Sequence, residues 1–257
     1  MQRFVDRIIR VIRLIRDSDN LTIPRIWAFF HKAVDDKIPG YKKIHLTYYP
    51  YLTIKFSYSI TLLQVSNRFV NHFHKISPLS TEEAKVIEES MDAQHFKKGT
   101  ILLREGQVAV DTYFIMEGCI REYILVDGEE KTTNFFTEDQ WVISMSNFNA
   151  QSPSKHYLVC IEDTYAVVGN EQAAQVMFKN FPRFETISRA VMEVFFSEQR
   201  KIMTSFLTDT PEQRYLNLLK TRPDIFQRVP QYQLSSYIGV KPESLSRIRK
   251  RVLEKLK

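Results

Sequence analysis

Short runs of strand-forming residues, each bounded by turn residues, constrain this chain more than any other feature. The runs are Ile101–Leu103, Thr112–Met116, Ile120–Val126, Thr132–Phe136, Tyr157–Ile161 and Thr164–Val168. Asp127-Gly128 stands between two of them, and Asp-Gly at such a place favours a hairpin because both residues tolerate positive φ. Many short strands with regular turns predict a small antiparallel barrel or sandwich.

Composition narrows the functional classes. Hydrophobic residues make up 44% and charged residues 26% of the 257-residue chain, which is typical of a globular protein. No apolar run approaches the roughly 18 residues needed to span a bilayer. With 7 glycines there is neither a GxGxxG nor a GxxxxGKS/T phosphate loop, and 2 cysteines are too few for a disulfide framework or a thiolate zinc site. We therefore expect a cytoplasmic protein that is not an enzyme and holds no metal or cofactor.

The charge is unevenly distributed along the chain. Residues 71–221 hold 15 basic against 22 acidic residues, whereas residues 222–257 hold 9 basic against 3 acidic ones. An acidic body with a short, strongly basic C-terminus suggests that this end has a polyanion as its partner. A solvated charged helix would show the same charges, so charge alone does not decide between the two interpretations.

The first 67 residues differ in character from the rest. Between Arg3 and Arg16, arginines interleave with apolar residues at helical spacing, which predicts a basic amphipathic helix able to lie on an anionic membrane surface. The same arginines interrupt every apolar core that a secretory signal would need. Residues 1–67 are left with three interpretations: an unusual extension, a membrane-surface anchor, or upstream sequence translated from a misplaced start. We assign them no function.

Helical spacing replaces the strand pattern after Val168. Asn170 opens a helix that extends to about Asn180, and residues 181–207 continue with apolar positions three and four apart. These positions are Phe184, Ile187, Val191, Val194, Phe195, Ile202, Met203 and Phe206. Such a stripe suits a long helix that associates with a second copy of the chain, or one that packs on its own barrel, and both interpretations stay open.

The C-terminal residues 208–257 hold the most specific pattern. Thr210–Glu212 begins a helix with proline at its first position, and Gln231–Ile238 predicts a second, short helix. Gly239–Lys241 turns the chain, and Pro242–Leu256 predicts a last helix. Two helices joined by about three residues containing glycine form a helix-turn-helix.

The last predicted helix has an apolar and a polar face. The apolar face holds Leu245, Ile248, Val252 and Leu256. On the polar face, Arg247 can pair with guanine O6 and N7 in a major groove, and Glu243 can accept from a cytosine amino group. The predicted DNA contacts are Glu243, Ser244, Ser246, Arg247, Arg249, Lys250 and Arg251, and Lys255 adds attraction to phosphate. An ordinary amphipathic helix with a Glu243–Arg247 ion pair is the alternative.

Several segments resemble one bacterial family. They are Phe96–Gly106 (FKKGTILLREG), Tyr113–Gly118 (YFIMEG), Val229–Gln233 (VPQYQ) through Gly239, and Pro242–Arg247 (PESLSR). Over about residues 68–257 the chain resembles the Crp/Fnr transcription regulators, and it is especially similar to members from Bacteroidetes-like bacteria.

The resemblance implies an α+β fold. Residues 68–180 would form an antiparallel, jelly-roll-like β-roll of the cyclic-nucleotide-binding type, residues 181–207 a long dimerisation helix, and residues 208–257 a winged helix-turn-helix. It also implies a homodimer on a two-fold operator in double-stranded DNA, with RNA polymerase and an unidentified small-molecule effector as further partners. In the family, a glutamate and an arginine four residues later read bases, and these positions match Glu243 and Arg247.

The effector region departs from the family members that bind cyclic AMP. Those have a Gly-Glu turn at the ribose and phosphate, then an Arg-Ser pair at the cyclic phosphate. The corresponding segments here, Trp141–Asn147 and Ser152–His156, hold no Gly, Glu or Arg. Without a bidentate partner for the phosphate, we expect no cyclic AMP binding of the usual kind. The predicted effector pocket consists of Trp141, Ser144, Ser154 and Lys155.

Two functions remain in competition at this point. The first is a dimeric, sequence-specific DNA-binding regulator, which the helix-turn-helix and the basic C-terminus favour. The alternative is a cyclic-nucleotide or small-molecule receptor module that acts on a protein partner. The two cysteines are too few for the iron–sulfur cluster of some family members, and His95 and His156 are the candidate ligands if haem were bound.

Overall fold

Two antiparallel sheets form the centre of the structure, a computed structural model that describes residues 68–144 and 152–255. The strands are Asp92–Phe96 (β1), Ile101–Leu103 (β2), Asp111–Glu117 (β3), Ile120–Val126 (β4), Glu129–Phe136 (β5), Trp141–Val142 (β6), Tyr157–Cys160 (β7) and Thr164–Asn170 (β8). One sheet has the order β1-β8-β3-β6 and the other β2-β7-β4-β5, and the pairings are antiparallel. The predicted β-roll is confirmed. The N-terminal segment 1–67, with its predicted amphipathic helix, lies outside the described residues.

Helices precede and follow the sheets. They are residues 68–76 (α1), Thr81–Glu89 (α2), Glu171–Asn180 (α3), Arg183–Thr208 (α4), Pro211–Thr221 (α5), Ile225–Arg228 (α6), Gln231–Ile238 (α7) and Pro242–Lys255 (α8). Side chains cap the N-termini of two of these helices. Ser80 and Glu83 form a reciprocal capping box at α2, and Thr210 and Gln213 form another at α5. The helix-turn-helix is present, but the wing implied by the resemblance is not, because no strand follows β8 within residues 171–255. The short helix α6 occupies part of that stretch.

Successive side chains of β3 point alternately into two different parts of the apolar core. Tyr113 and Ile115 point into the roll, where they join the apolar cluster around Ile120. Phe114 and Met116 point the opposite way and pack against α1, α2 and α4. A strand with apolar residues on both faces is buried between two layers, and here the second layer is helical.

The long helix α4 is divided along its length. Phe184, Ile187, Val191 and Phe195 are buried against the chain's own β-roll and flanking helices. Further along, Met203 is 65% and Leu207 80% exposed. The first half of α4 therefore packs on its own barrel, whereas the second half leaves apolar side chains uncovered.

Gly118 closes the turn between β3 and β4 at a point of close backbone approach. Its φ is +107°, and a Cβ atom built there would lie 2.6 Å from the Asp163 carbonyl oxygen and 2.7 Å from Thr164 Cα. Gly128, in the β4–β5 hairpin, also has a positive φ of +79°, but a Cβ atom there would meet nothing within 4 Å. Both glycines have a positive φ, but only Gly118 has neighbouring atoms where a Cβ atom would lie.

We expect Gly118→Ala to lower the free energy of unfolding by about 2–4 kcal/mol, because the left-handed conformation and a backbone clash both oppose the new methyl group. Gly128→Ala is the matched control and should cost about 1 kcal/mol, since only the conformational strain applies. Urea unfolding followed by circular dichroism measures both values. Equal losses in the two variants would contradict the role given to the close approach.

Candidate nucleic-acid interface

The helix-turn-helix forms where the sequence predicted it. Gly239 ends α7 with a φ of +80°, in the left-handed region that glycine adopts without a steric penalty. The Val240 N–H donates to the Ser235 carbonyl over 2.9 Å, and α8 begins at Pro242. The turn therefore orients α8 relative to α7 through backbone bonds.

The inner face of α8 closes an apolar cluster. Leu245, Ile248 and Val252 are buried, and they pack with apolar residues of α5, α6 and α7 such as Leu218, Ile225 and Leu234. Leu256, predicted for the same face, lies outside the described residues. Because this face is sealed, the rotation of α8 about its axis is fixed.

The outer face of α8 carries the predicted DNA contacts. Glu243, Ser246, Arg247, Lys250 and Arg251 are exposed, and Ser244 and Arg249 are half-buried. The Glu243–Arg247 ion pair expected of an ordinary amphipathic helix is not formed. The geometry thus leaves Arg247 available to an outside partner, although its contact with DNA stays a prediction.

Two of the C-terminal cations have a partner that sequence analysis did not anticipate. Glu212, in the first turn of α5, contacts Lys255 Nζ over 2.7 Å and an Arg251 guanidinium nitrogen over 3.4 Å. By contrast, Arg247, Arg249 and Lys250 make no ion pair with any residue in the described ranges. Glu212 gave no signal in the sequence beyond its place in a helical first turn.

The predicted effector residues have different surroundings in the structure. The Trp141 indole N–H donates to His72 Nε2 over 3.2 Å, and its ring packs among the aromatic rings of α1 and β3. Burial lowers the pKa of His72, so its neutral ring can accept this bond. Ser144 and Ser154 are buried, and the Ser154 hydroxyl accepts from the His156 backbone N–H. Lys155 is exposed.

A cavity of about 1010 Å³ lies along the second half of α4. Trp141 lines it together with residues of α4, α5 and α7, but Ser144, Ser154 and Lys155 do not. The effector pocket as predicted from sequence therefore stays a prediction, and this larger space was not foreseen. Within the described residues there is no group of three potential metal ligands, and no helix is long and apolar enough to cross a bilayer.

A charged cluster joins the helix-turn-helix to the β-roll. The Arg228 guanidinium, at the end of α6, donates to both carboxylate oxygens of Glu138 over 2.8 Å and to Glu162 over 2.7 Å. It also donates to the Gly118 carbonyl over 2.9 Å. We call these four residues the Arg228 clamp. The Arg228 side chain is 22% exposed, so the cluster is only partly screened by water.

Two further contacts run beside the Arg228 clamp. Arg222 donates to the Phe135 carbonyl over 2.7 Å and to the Thr137 hydroxyl over 3.1 Å. The Ser236 hydroxyl in α7 accepts from the Thr132 backbone N–H over 2.9 Å. Together these bonds attach α5, α6 and α7 to strand β5 and the turn after it.

The Arg228 clamp shifts the pKa values of Glu138 and Arg228. Burial alone would raise the pKa of Glu138, but hydrogen bonds from Arg228 and from the Gly118 N–H outweigh it, and the pKa lies below its usual range. The hydrogen bonds that Arg228 donates to Glu138 and Glu162 raise the pKa of Arg228. Glu138 and Arg228 are therefore both charged at neutral pH.

Comparisons with known proteins agree with the architecture. Residues 93–181 match the family of cyclic nucleotide-binding domains. No curated protein matches the chain. At 17% identity and a TM-score of 0.54, a putative transcriptional regulator of the Crp/Fnr family from Eubacterium rectale is similar over 72% of this chain and 88% of its own.

Two further solved structures are similar in the same way. The c-di-GMP responsive global regulator CLP of Xanthomonas campestris has 17% identity and a TM-score of 0.53, covering 65% of this chain and 88% of that one. A mutant of CooA from Carboxydothermus hydrogenoformans has 15% identity and a TM-score of 0.51, covering 68% and 82%. At these identities the likeness shows a shared fold.

We expect Glu138→Gln to reduce the free energy of unfolding by about 1–2 kcal/mol at neutral pH, because Arg228 loses a charged acceptor. Since folding lowers the pKa of Glu138, its stabilisation is present above the unfolded carboxyl pKa of about 4.3 and is lost as the pH falls through the folded value. The difference between variant and wild type should therefore shrink as the pH falls below the unfolded carboxyl pKa.

Urea unfolding at a series of pH values measures this difference. Glu89→Gln is the control, because Glu89 forms an exposed pair with Lys85 over 3.6 Å and should have little effect at any pH. A Glu138→Gln difference that does not change with pH would contradict the assignment of the lowered pKa.

Proposed function

We propose that this chain, which has the fold of the Crp/Fnr transcription regulators and a cyclic nucleotide-binding domain at residues 93–181, is a dimeric, sequence-specific DNA-binding regulator. The observation that carries the proposal is that α8 has one buried apolar face and one exposed polar face. Its apolar side is sealed into the domain, while its outer side presents Glu243, Ser246 and Arg247 to an outside partner. A helix held in this way can enter a major groove.

Arg247 is the central residue of the proposed base contact. It is exposed and has no ion pair with another described residue, so its guanidinium can meet guanine O6 and N7 without first breaking an internal bond. Glu243, one turn earlier, can accept from a cytosine amino group on the same face. Arg249 and Lys250 would add phosphate attraction that does not depend on sequence.

The uncovered half of α4 supports the dimer. Phe196, Met203 and Leu207 are exposed and lie seven and four residues apart, so they share one side of the helix. We propose that a second copy of the chain covers this face, which would place two α8 helices on one duplex. Half-sites about one helical turn apart would then be read together, as in other dimeric helix-turn-helix proteins.

The β-roll is proposed as the sensing part. Trp141–Ser144 and Ser152–His156 offer no arginine to a cyclic phosphate, so the proposal does not include cyclic AMP. Any other effector that favours one arrangement of the β-roll would shift the placement of α8 through the Arg228 clamp. RNA polymerase is proposed as the downstream partner if the regulator activates transcription.

Arg247→Ala should weaken binding to a duplex selected by the wild-type protein from a random-sequence pool by about 1–3 kcal/mol, and relax the preference at one base position. Arg104→Ala removes the same charge from an exposed β-roll loop and should change neither property. Fluorescence anisotropy and repeated selection with each variant measure the two effects. If the wild type shows no salt-sensitive affinity for any duplex, the proposed function is wrong.

Leu207→Glu should produce a monomer, because dimer formation would bury two carboxylates in an apolar contact. Affinity for the selected duplex should then fall by about 100-fold or more, since the two half-sites are no longer bound together. Val176→Glu is the matched control, because Val176 is also exposed, at 62%, but lies on α3. Sedimentation measures the mass, and a dimeric Leu207→Glu variant would contradict the proposed interface.

A further inference from the structure

Glu212 lies against the recognition helix α8 from a different element. Its backbone is fixed at the start of α5, where Pro211 occupies the first turn and Thr210 and Gln213 form the capping box. Its carboxylate contacts Lys255 over 2.7 Å and Arg251 over 3.4 Å, and only 23% of its side chain is exposed. One carboxylate therefore pairs with two of the cations on α8 and offsets one of their two positive charges.

Glu212 lies beside the proposed DNA-binding face of α8. A cleft of about 790 Å³ separates the start of α5 from α8, and Glu212, Ser244, Arg247 and Arg251 all line it. The hydrogen bond from Lys255 lowers the pKa of Glu212, so the carboxylate is ionised at neutral pH. A phosphate approaching this cleft meets the negative charge of Glu212, which sequence analysis did not place there.

The cations of α8 thus fall into two groups. Arg247, Arg249 and Lys250 are unpaired within the described part of the chain, whereas Arg251 and Lys255 are engaged by Glu212. Contacts to phosphate strengthen binding to every sequence alike, whereas contacts to base edges discriminate. Pairing Arg251 and Lys255 with Glu212, beside the residues proposed to contact bases, lowers the first contribution and leaves the second intact.

We propose that Glu212 limits the sequence-independent part of DNA binding, because its carboxylate holds Arg251 and Lys255 away from the phosphate backbone. The inference rests on the proposed function. Glu212 keeps that sequence-independent affinity low.

The test compares Glu212→Gln with Glu105→Gln in the full chain. Both substitutions remove one negative charge, but Glu105 lies in an exposed loop of the β-roll, far along the chain from α8. The probe is a labelled duplex of mixed sequence, several helical turns long, titrated at a series of salt concentrations. Thermal unfolding of each variant verifies that the fold is retained.

Glu212→Gln should steepen the dependence of log K on log salt by about 1–2, because Arg251 and Lys255 become free to bind one or two more phosphates. At about 0.1 M salt each additional phosphate bound corresponds to about tenfold tighter binding. Glu105→Gln should leave the slope unchanged. The comparison within this pair separates release of Arg251 and Lys255 from the general change in net charge.

A double-mutant cycle with Arg251→Gln provides the second measurement. In the wild-type background this substitution should change the salt slope little, because Arg251 is already paired. In the Glu212→Gln background it should reduce the slope by about 1, since the released arginine can no longer bind a phosphate. A residue with only a structural role would not make the effect of Arg251 depend on Glu212.

The outcomes separate this inference from the proposed function. If the wild type binds DNA and Glu212→Gln behaves like Glu105→Gln, Glu212 does not restrain the affinity and the inference is wrong. Weaker binding by Glu212→Gln would also overturn it, because Glu212 would then position the cations for DNA. If the wild type binds no duplex, the proposed function itself fails.

Discussion

The ion cluster centred on Arg228 determines how the two functional parts of this chain are arranged. A partly buried guanidinium loses much of its hydration, and that cost is recovered only when good acceptors surround it. Arg228 meets this condition with the carboxylates of Glu138, Glu162 and, at 3.3 Å, Asp224, and with one backbone carbonyl. Because it stands at the end of the four-residue helix α6, it holds the stretch that connects α5 to α7 on the β-roll. That attachment holds the helix-turn-helix on the β-roll, while the buried apolar face of α8 fixes which side of this helix points outward.

Gly118 links this attachment to the fold of the β-roll itself. Its N–H donates to Glu138 and its carbonyl accepts from Arg228, so the β3–β4 turn contributes to both sides of the cluster. Glu138 lies in the turn between β5 and β6, shortly before Trp141. A change in the β6 region therefore has a short physical route to the helix-turn-helix, through one turn and one guanidinium. This route is separate from the covalent connection at the end of α4.

Local signals in the sequence predicted local structure well. The Asp-Gly hairpin, the proline start of α5 and the glycine turn at 239 each depend on residues within a few positions of one another. The apolar and polar faces of α8 followed from helical spacing alone. The wing that the family resemblance implied is not found within residues 171–255, where residues 222–230 instead form the short helix α6 and its flanking turns.

Contacts between distant parts of the chain could not be predicted. Arg228 was counted only as one more charge in a basic C-terminus, yet its acceptors lie 66 and 90 residues earlier. Glu212 likewise reaches Lys255 across 43 residues. Trp141 was assigned to an effector pocket, but its ring packs against α1, a neighbour that no spacing in the sequence reveals. Each of these depends on how elements pack, which periodicity does not encode.

The junction between β-roll and helix-turn-helix also contains a cysteine. Cys119 follows Gly118, is fully buried, and packs in the apolar cluster with residues of α5 to α8. Burial raises the pKa of its thiol to about 12, so it is neither ionised nor accessible while the two parts are docked. Opening of the junction would hydrate this sulfur and make it reactive. The rate at which a thiol reagent alkylates Cys119 therefore reports how often the β-roll and the helix-turn-helix separate.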